Sequence, residues 1–360
     1  MGRMRYCQLH SRRKLHCHRF VLSMSSIKEV AGAAGVSTAT VSHVLNKTRF
    51  VSDEVRTRVL YAVEHCRYYP NQHARSLASG KSNSLGLVVS DISNPFFPEL
   101  IKAIEAAAFE YGYDIVLANT NYDEGRTSHY VRRFIERKVA GVAVMTSEMD
   151  KELVAELNNR EVPIVFLDVG EPARHISNVR VDYESGIEQA ILHLADLGHR
   201  NIAYVSGQAT LRSAQRRLGS FQKIIHQLFP NILERVYFGN FQIEGGRLAA
   251  ERILSDKHLE MPTAIITAND LTAIGAISEF RAAGLKVPED ISIIGFDDIA
   301  FANLIEPPLT TVKLPRDVLG IKTVEVLIKM LKKPNDLGSE ILIPTSLVIR
   351  NSTARAKNAP

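Results

Sequence analysis

The chain has 360 residues, 45% of them apolar, three cysteines (Cys7, Cys17, Cys66) and a formal net charge of +5. That length predicts two or three domains. The lack of a long apolar run excludes a transmembrane helix, and three sparse cysteines make no disulfide framework and fit a reducing cytoplasm. The charge is uneven: the first 82 residues carry +10 and the remainder −5. A basic end on an acidic body predicts contact with a polyanion; the alternative on charge alone is a solubilising tail.

Residues 1–23 hold six Lys/Arg and no acid and read as a disordered basic leader. The patch Phe20-Val21-Leu22 is too short for a signal peptide. Cys17 lies among His10, His16 and His18, but a structural zinc needs four well-spaced ligands and no downstream pair follows. No metal and no cofactor is expected, and Met24 is an alternative start of translation.

Residues 24–69 read as a DNA-binding headpiece. Ser26-Ile27-Lys28-Glu29 has the S-x-x-E form of a capping box and starts a helix. Val30, Ala31 and Ala34 supply its apolar edge, and Gly35 ends it. Ser37 caps a second helix, 38–45, that buries Val41, Val44 and Leu45. Two short helices joined at a glycine are a helix-turn-helix pattern. A third helix, capped by Ser52, shows Val55, Val59, Ala62, Val63 and Cys66 at helical spacing and forms the apolar floor. A helix in the major groove offers base edges the residues near its N-terminus. Here these are Thr38, Ala39 and, one turn on, His43, which suit thymine methyls and a purine edge. Ser37, Thr40 and Ser42 suit phosphate oxygens. A helical bundle with no DNA role is the alternative.

Residues 70–82 read as a short helix and linker that orders only with a partner. Pro70 ends the third helix, and the next helix is too short to persist alone. From 83 to 360 the pattern alternates. Strands are expected at 85–89, 115–118, 142–145, 164–167, 202–205, 264–267 and 291–295, with helices between them, the first over 99–111. Continuous apolar strands imply parallel sheets covered on both faces, and the length implies two lobes with a cleft between. Ligands sit beyond strand C-termini, which selects Asp91, Asn94, Asp168, Asn269, Asp270, Asp297 and Asp298, with Arg217 in a following helix. For Asp270 and Asp298 a helix-capping role is preferred.

The segments 27–31 (IKEVA) and 34–46 (AGVSTATVSHVLN) resemble the headpiece of the lac and galactose repressor family, 36–50 being most similar to its purine-repressor branch. The pocket segments also match: 90–97 (SDISNPFF), 166–168 (FLD), 213–217 (SAQRR), 269–270 (ND) and 295–298 (GFDD). The resemblance spans about 25–350. It implies a helix-turn-helix headpiece, a hinge helix and a two-lobed, doubly wound effector domain of the periplasmic-binding-protein type. The hinge would sit in the minor groove at the operator centre, with Leu77 as the wedge that pries a base step apart, Ala74 allowing close approach and Arg75 suiting the negative groove. Carried over, Phe96, Asp168, Ser213, Arg217, Phe241, Asn269 and Asp297 would line the effector cleft. One departure is Leu211, where the purine-responsive branch has an arginine. That favours a sugar or sugar derivative over a purine, with Leu211 as a possible cleft wall. The expected protein is a ligand-responsive repressor, a cytoplasmic, nucleoid-associated homodimer on a near-palindromic operator, with no membrane partner. An enzyme is the rival, but no G-x-G-x-x-G, P-loop or G-x-S-x-G motif is present. The second rival is a two-lobed binding protein without a DNA role.

Overall fold

The computed structural model describes residues 26–69 and 82–357, apart from 147, 148, 150 and 169. The chain divides into two compact units at 80/81. In the first, α1 (Ile27–Ala34) starts at Ser26, whose side chain accepts from the Glu29 N–H, and stops at Gly35 with φ +64°. α2 (Thr38–Asn46) starts at Ser37, which accepts from Thr40 N–H at 3.1 Å. Each such cap contributes about 1 kcal/mol, a sizeable share for so small a unit. α3 (Asp53–His65) has Ser52 at its cap position, but the expected side-chain bond is not formed. Val30, Ala31, Ala34, Val41, Val44, Val59 and Ala62 form the core; Leu45, Val55, Val63 and Cys66 pack against it half-buried.

The second unit contains two six-stranded sheets. The first lobe is built from β1 (Ser84–Val89), α4 (Phe96–Glu110), β2 (Asp114–Asn119), α5 (Glu124–Glu136), β3 (Gly141–Met145), α6 (Lys151–Asn159), β4 (Ile164–Leu167) and β5 (Ile176–Asp182). The second lobe continues with α7 (Tyr183–Asp196), β6 (Ile202–Ser206), α8 (Arg212–Leu228), β7 (Val236–Phe238), α9 (Ile243–Ser255), β8 (Ala264–Thr267), α10 (Asp270–Ala282), β9 (Ser292–Asp297), a short 3-10 turn (Ala300–Asn303) and β10 (Thr310–Lys313). The chain then returns: α11 (Arg316–Lys332) packs on α4, β11 (Glu340–Pro344) pairs with β5, and β12 (Ser346–Val348) pairs with β10. The strand orders are β11-β5-β4-β3-β1-β2 and β12-β10-β9-β8-β6-β7, parallel except at β12.

The chain therefore crosses between lobes three times: at Asp182–Tyr183, after β10, and at Thr345. Two of these crossings are stitched together by the Thr345 hydroxyl, which donates to the Asp182 carbonyl at 2.7 Å. Most strands read as apolar runs are buried on both faces, as β3, β4, β6 and β8 are almost throughout; β2 is the exception, an edge strand on which Leu117 is exposed. Two differences from expectation concern boundaries and edges. α4 begins at Phe96 because Pro98 falls in its first turn, where a missing N–H costs nothing. β5, β7, β10, β11 and β12 were absent from the sequence reading. In the second lobe α9 and α10 cross at Gly246 and Gly275, where an added methyl would overlap the carbonyl oxygens of Thr272 and Ile243.

Candidate functional site: a cleft between two lobes and an exposed helix face

Each sheet reverses direction at a switch point, with β1 between β2 and β3 in one lobe and β6 between β7 and β8 in the other. Ligands in open α/β sheets sit beyond the strand ends at such points, and here both sets of strand ends open on one cleft. About 590 Å³ of non-atom space, part of it open to solvent, lies within it. All seven residues carried over from the family pattern line it: Phe96, Asp168, Ser213, Arg217, Phe241, Asn269 and Asp297. The sequence reading missed Tyr183, Tyr122, Phe97, Met145 and Thr146, which also line it. Asn94, selected only as a strand-end residue, lines it as well.

The charges in this cleft are paired inside the protein. Arg217 is 6% exposed. It donates to Asp297 Oδ1 at 3.0 Å and to the Ala268 carbonyl, and its guanidinium lies 4.4 Å from the Phe296 ring centre and 5.0 Å from that of Tyr183. Burial works against the charge on Arg217, but Asp297 beside it more than offsets this and keeps its pKa raised. Burial pushes the Asp297 carboxyl upward in spite of Arg217 and Arg316. Asp168 is saturated by three donors: Val181 N–H at 3.2 Å, the Tyr183 hydroxyl at 2.8 Å and Arg216 Nη1 at 2.9 Å. Burial first, and Asp168 next, raise the Tyr183 phenol far above its usual range, so it stays a donor. The Ser213 hydroxyl has no hydrogen bond, and Arg217 Nε is buried without a partner. Asp168, Phe241 and Asp297 hold φ of +82°, +64° and +109°. Three strained non-glycine residues facing one cleft mark a functional site.

Asp168 also ties the lobes together, because Tyr183 and Arg216 belong to the second lobe. Gln242 adds a tie to Asp91 at 2.8 Å. Arg316 adds another, bonding Glu99 on its own lobe and the carbonyls of Asp297 and Asp298 across the cleft.

Three expectations need correction. Asp270 does not cap α10; Asn269 does, accepting from Thr272 N–H at 3.0 Å. Asp270 is instead fully buried, accepting from the Thr311 hydroxyl and from Ile299 N–H. Burial, with Asp297 nearby, raises its pKa. Asp298 caps no helix either and pairs with Arg350 at 2.6 Å. Leu211 does not line the cleft: it is buried in the lobe core at the α8 cap position.

In the headpiece, α2 exposes Ser37, Thr38 and Ala39, with Thr40, Ser42 and His43 half-buried beside them. Ser37 is engaged with Thr40, and Ser42 accepts from the Asn46 side chain. Ala74, Arg75 and Leu77 lie outside the described residues. Among the described residues no helix is long and apolar enough to cross a membrane, and no group of three His, Cys, Asp or Glu could hold a metal ion.

A helix-turn-helix unit followed by a two-lobed, doubly wound ligand cleft is the make-up of a ligand-sensing transcription regulator. Residues 26–71 match the model of bacterial regulatory proteins of the lacI family, and 191–353 match a periplasmic binding protein-like domain. Among relatives, the HTH-type transcriptional repressor PurR of Aliivibrio salmonicida is 36% identical over 86% of this chain and 93% of its own. That of Aliivibrio fischeri (strain MJ11) is 37% identical over 91% of this chain and 98% of its own. A Lac repressor dimer bound to operator and an anti-inducer superposes with a TM-score of 0.82 at 28% identity, covering 92% of this chain and 99% of that one. A CelR–cellobiose complex gives 0.67 at 26% identity, covering 91% and 99%. The chain belongs to the lacI family of bacterial regulatory proteins.

Proposed function

We propose that this repressor binds a near-palindromic operator as a homodimer through α2, and that its cleft takes an uncharged, polyhydroxylated ring: a sugar or sugar derivative rather than a purine. The observation that carries the uncharged character of the ligand is the internal pairing of Arg217 with Asp297 and of Arg216 with Asp168; the preference for a sugar over an equally neutral purine base rests on the sugar-bound neighbours. An anion would have to break one of these pairs, leaving a buried charge uncompensated at several kcal/mol. A neutral ring meets apolar walls from Phe96, Phe241 and Met145, with Ser213 and Arg217 Nε as unspent polar partners. Relatives hold neutral sugars: ribose in a LacI family regulator from Enterococcus faecium, and cellobiose in CelR.

In this reading Thr38, Ala39 and His43 meet base edges, and Ser37, Thr40 and Ser42 meet phosphates. Ala74, Arg75 and Leu77 enter the minor groove. Residues 24–69 act as the headpiece, 70–82 as the hinge and 83–360 as the sensor. The cleft binds its ligand without transforming it, so the protein is not an enzyme. Its place is the cytoplasm, on the nucleoid. Ligand preference for one lobe arrangement shifts the hinges and hence operator affinity. The test uses full-length protein on a duplex selected from a randomised pool, read by fluorescence anisotropy, with thermal shift for ligands. Salt-sensitive, sequence-selective binding and a melting rise with a neutral sugar are expected. A rise with hypoxanthine or guanine but no sugar overturns the ligand class; binding indifferent to sequence overturns the operator reading.

A further inference from the structure

The turn that ends α2 ties one exposed residue to the base-reading histidine. α2 stops at Lys47, which takes the left-handed conformation at φ +51° and donates its N–H to the His43 carbonyl. The chain is turned back, so that Thr48 N–H reaches the same carbonyl at 3.3 Å. From there the Thr48 hydroxyl lies 2.8 Å from His43 Nδ1. Thr48 thus holds His43 at main chain and side chain together, although five residues separate them.

The backbone bond alone would suffice to end the helix. The hydroxyl does something further: it fixes the ring's orientation, and the direction of its bond to Nδ1 sets which nitrogen carries the proton. A neutral imidazole has one N–H. A hydroxyl donating to Nδ1 leaves that proton on Nε2, the nitrogen on the far side of the ring from Thr48. A donor at Nε2 matches the acceptors of a purine in the major groove, N7 and O6 of guanine or N7 of adenine, and mismatches the amino group of cytosine.

We infer that Thr48 is a positioning residue that sets base specificity: its hydroxyl holds His43 as an Nε2–H donor, so that each half-site demands a base with an acceptor edge at one position and rejects cytosine there. This rests on α2 being the recognition helix.

The test takes full-length protein through selection on a randomised duplex pool, with base preferences read by sequencing. Thr48→Val keeps the backbone N–H and the branched shape and removes only the hydroxyl. It should weaken discrimination at a single position of each half-site by about fivefold to tenfold, the worth of one hydrogen bond. His43→Ala should flatten that same position, the double variant should be no worse than His43→Ala, and Thr48→Ser should match the parent. Should Thr48→Val fail to fold, as judged by its melting, Thr48→Ala carries the same test. An unaltered preference in the hydroxyl-less variants, an even loss at all positions, or flattening of a different position from His43→Ala overturns the role of Thr48. If His43→Ala itself leaves every preference intact, the recognition-helix reading falls instead.

Discussion

Replacing Arg217 by methionine should destabilise the effector unit strongly, and less so in acid. Methionine fills much of the arginine's volume, so the cost is electrostatic rather than a cavity. The change removes the 3.0 Å bond to Asp297, the donor to Ala268, and a cation packed against the rings of Phe296, Tyr183 and Phe241. Breaking a buried ion pair from one side costs about 3–5 kcal/mol. For a unit of this size that lowers the melting midpoint by on the order of 10 °C. Asp297 is already pushed up by burial, with Arg217 the foremost group pulling it down. Without that arginine its folded pKa climbs further above the unfolded value. The sign follows: a raised carboxylic acid favours folding at low pH and loses that contribution as pH rises through its folded pKa. The deficit of Arg217→Met should therefore shrink between about pH 7.5 and about pH 5. Asp297→Asn in the same chain should recover much of the loss, because no buried charge then remains. With no tryptophan in the sequence, tyrosine fluorescence or circular dichroism follows melting. A loss below about 1 kcal/mol at neutral pH, or a double variant no better than the single, would refute the view that these groups act as one pair.

Two further outcomes follow from packing and titration. Alanine usually improves a helix by about 1 kcal/mol over glycine. Gly219 in α8 has open space around its would-be methyl, so Gly219→Ala should gain part of that increment; Gly275→Ala should lose stability, because its methyl meets the Ile243 carbonyl and the backbones must part. Melting of the two variants in opposite directions is the check, and equal effects would contradict the α9–α10 contact. The tail is strapped to the second lobe by His193 to the Thr353 hydroxyl and by His199 to the Ala354 carbonyl, the other His199 nitrogen bonding the Thr263 hydroxyl within the lobe. Burial lowers both histidines below 6.5. Their contribution is complete above the unfolded pKa and declines as pH falls below it, because the unfolded chain takes up protons first. The melting midpoint should drop from about pH 7 to about pH 5.5, and His199→Gln should flatten that decline.

The legible parts of this molecule are those whose signal is local. Ser26, Gly35 and Ser37 announce helix ends within four residues, and the caps form where the sequence placed them. Runs such as 202–205 and 264–266 are apolar throughout because both of their faces are covered. Once those strands are placed, the strand-end rule leads to Asp168, Asn269 and Asp297. Where a strand was not seen, its end was not searched: β5 reads ISNVRVD, a mixed run, and Tyr183 follows it directly. β11 and β12 are edge strands that pair over long separations, and β12 has only three residues. Asp270 and Asp298 stood beside helix and turn starts and read as caps. Their partners, Thr311 and Arg350, lie 41 and 52 residues away, and no local pattern reports such distances.

The same long-range returns explain why the cleft can act as a switch. Three crossings join the lobes, two of them bonded to each other through Thr345 and Asp182, so a change in cleft width would be a rotation about them. On the cleft side, the arrangement is held by the Tyr183 and Arg216 bonds to Asp168, by Gln242 to Asp91, and by Arg316 to the 297–298 carbonyls. Neutral ties contribute about 0.5–1.5 kcal/mol each and charged ones about 1.5–3. Their sum is comparable with the roughly 5.5 kcal/mol that carries a two-state equilibrium from one extreme to the other. A ligand that bonds Ser213 and Arg217 Nε on α8 and also reaches the first-lobe wall at Phe96 and Met145 adds to these ties and strengthens closure. One large enough to displace Gln242 or Arg216 removes that residue's tie and favours opening. The sign of the response thus depends on ligand size against the Asp91–Gln242 and Asp168–Arg216 ties. Gln242→Ala should shift operator affinity in the absence of ligand, in the direction that a tie-breaking ligand shifts the parent protein.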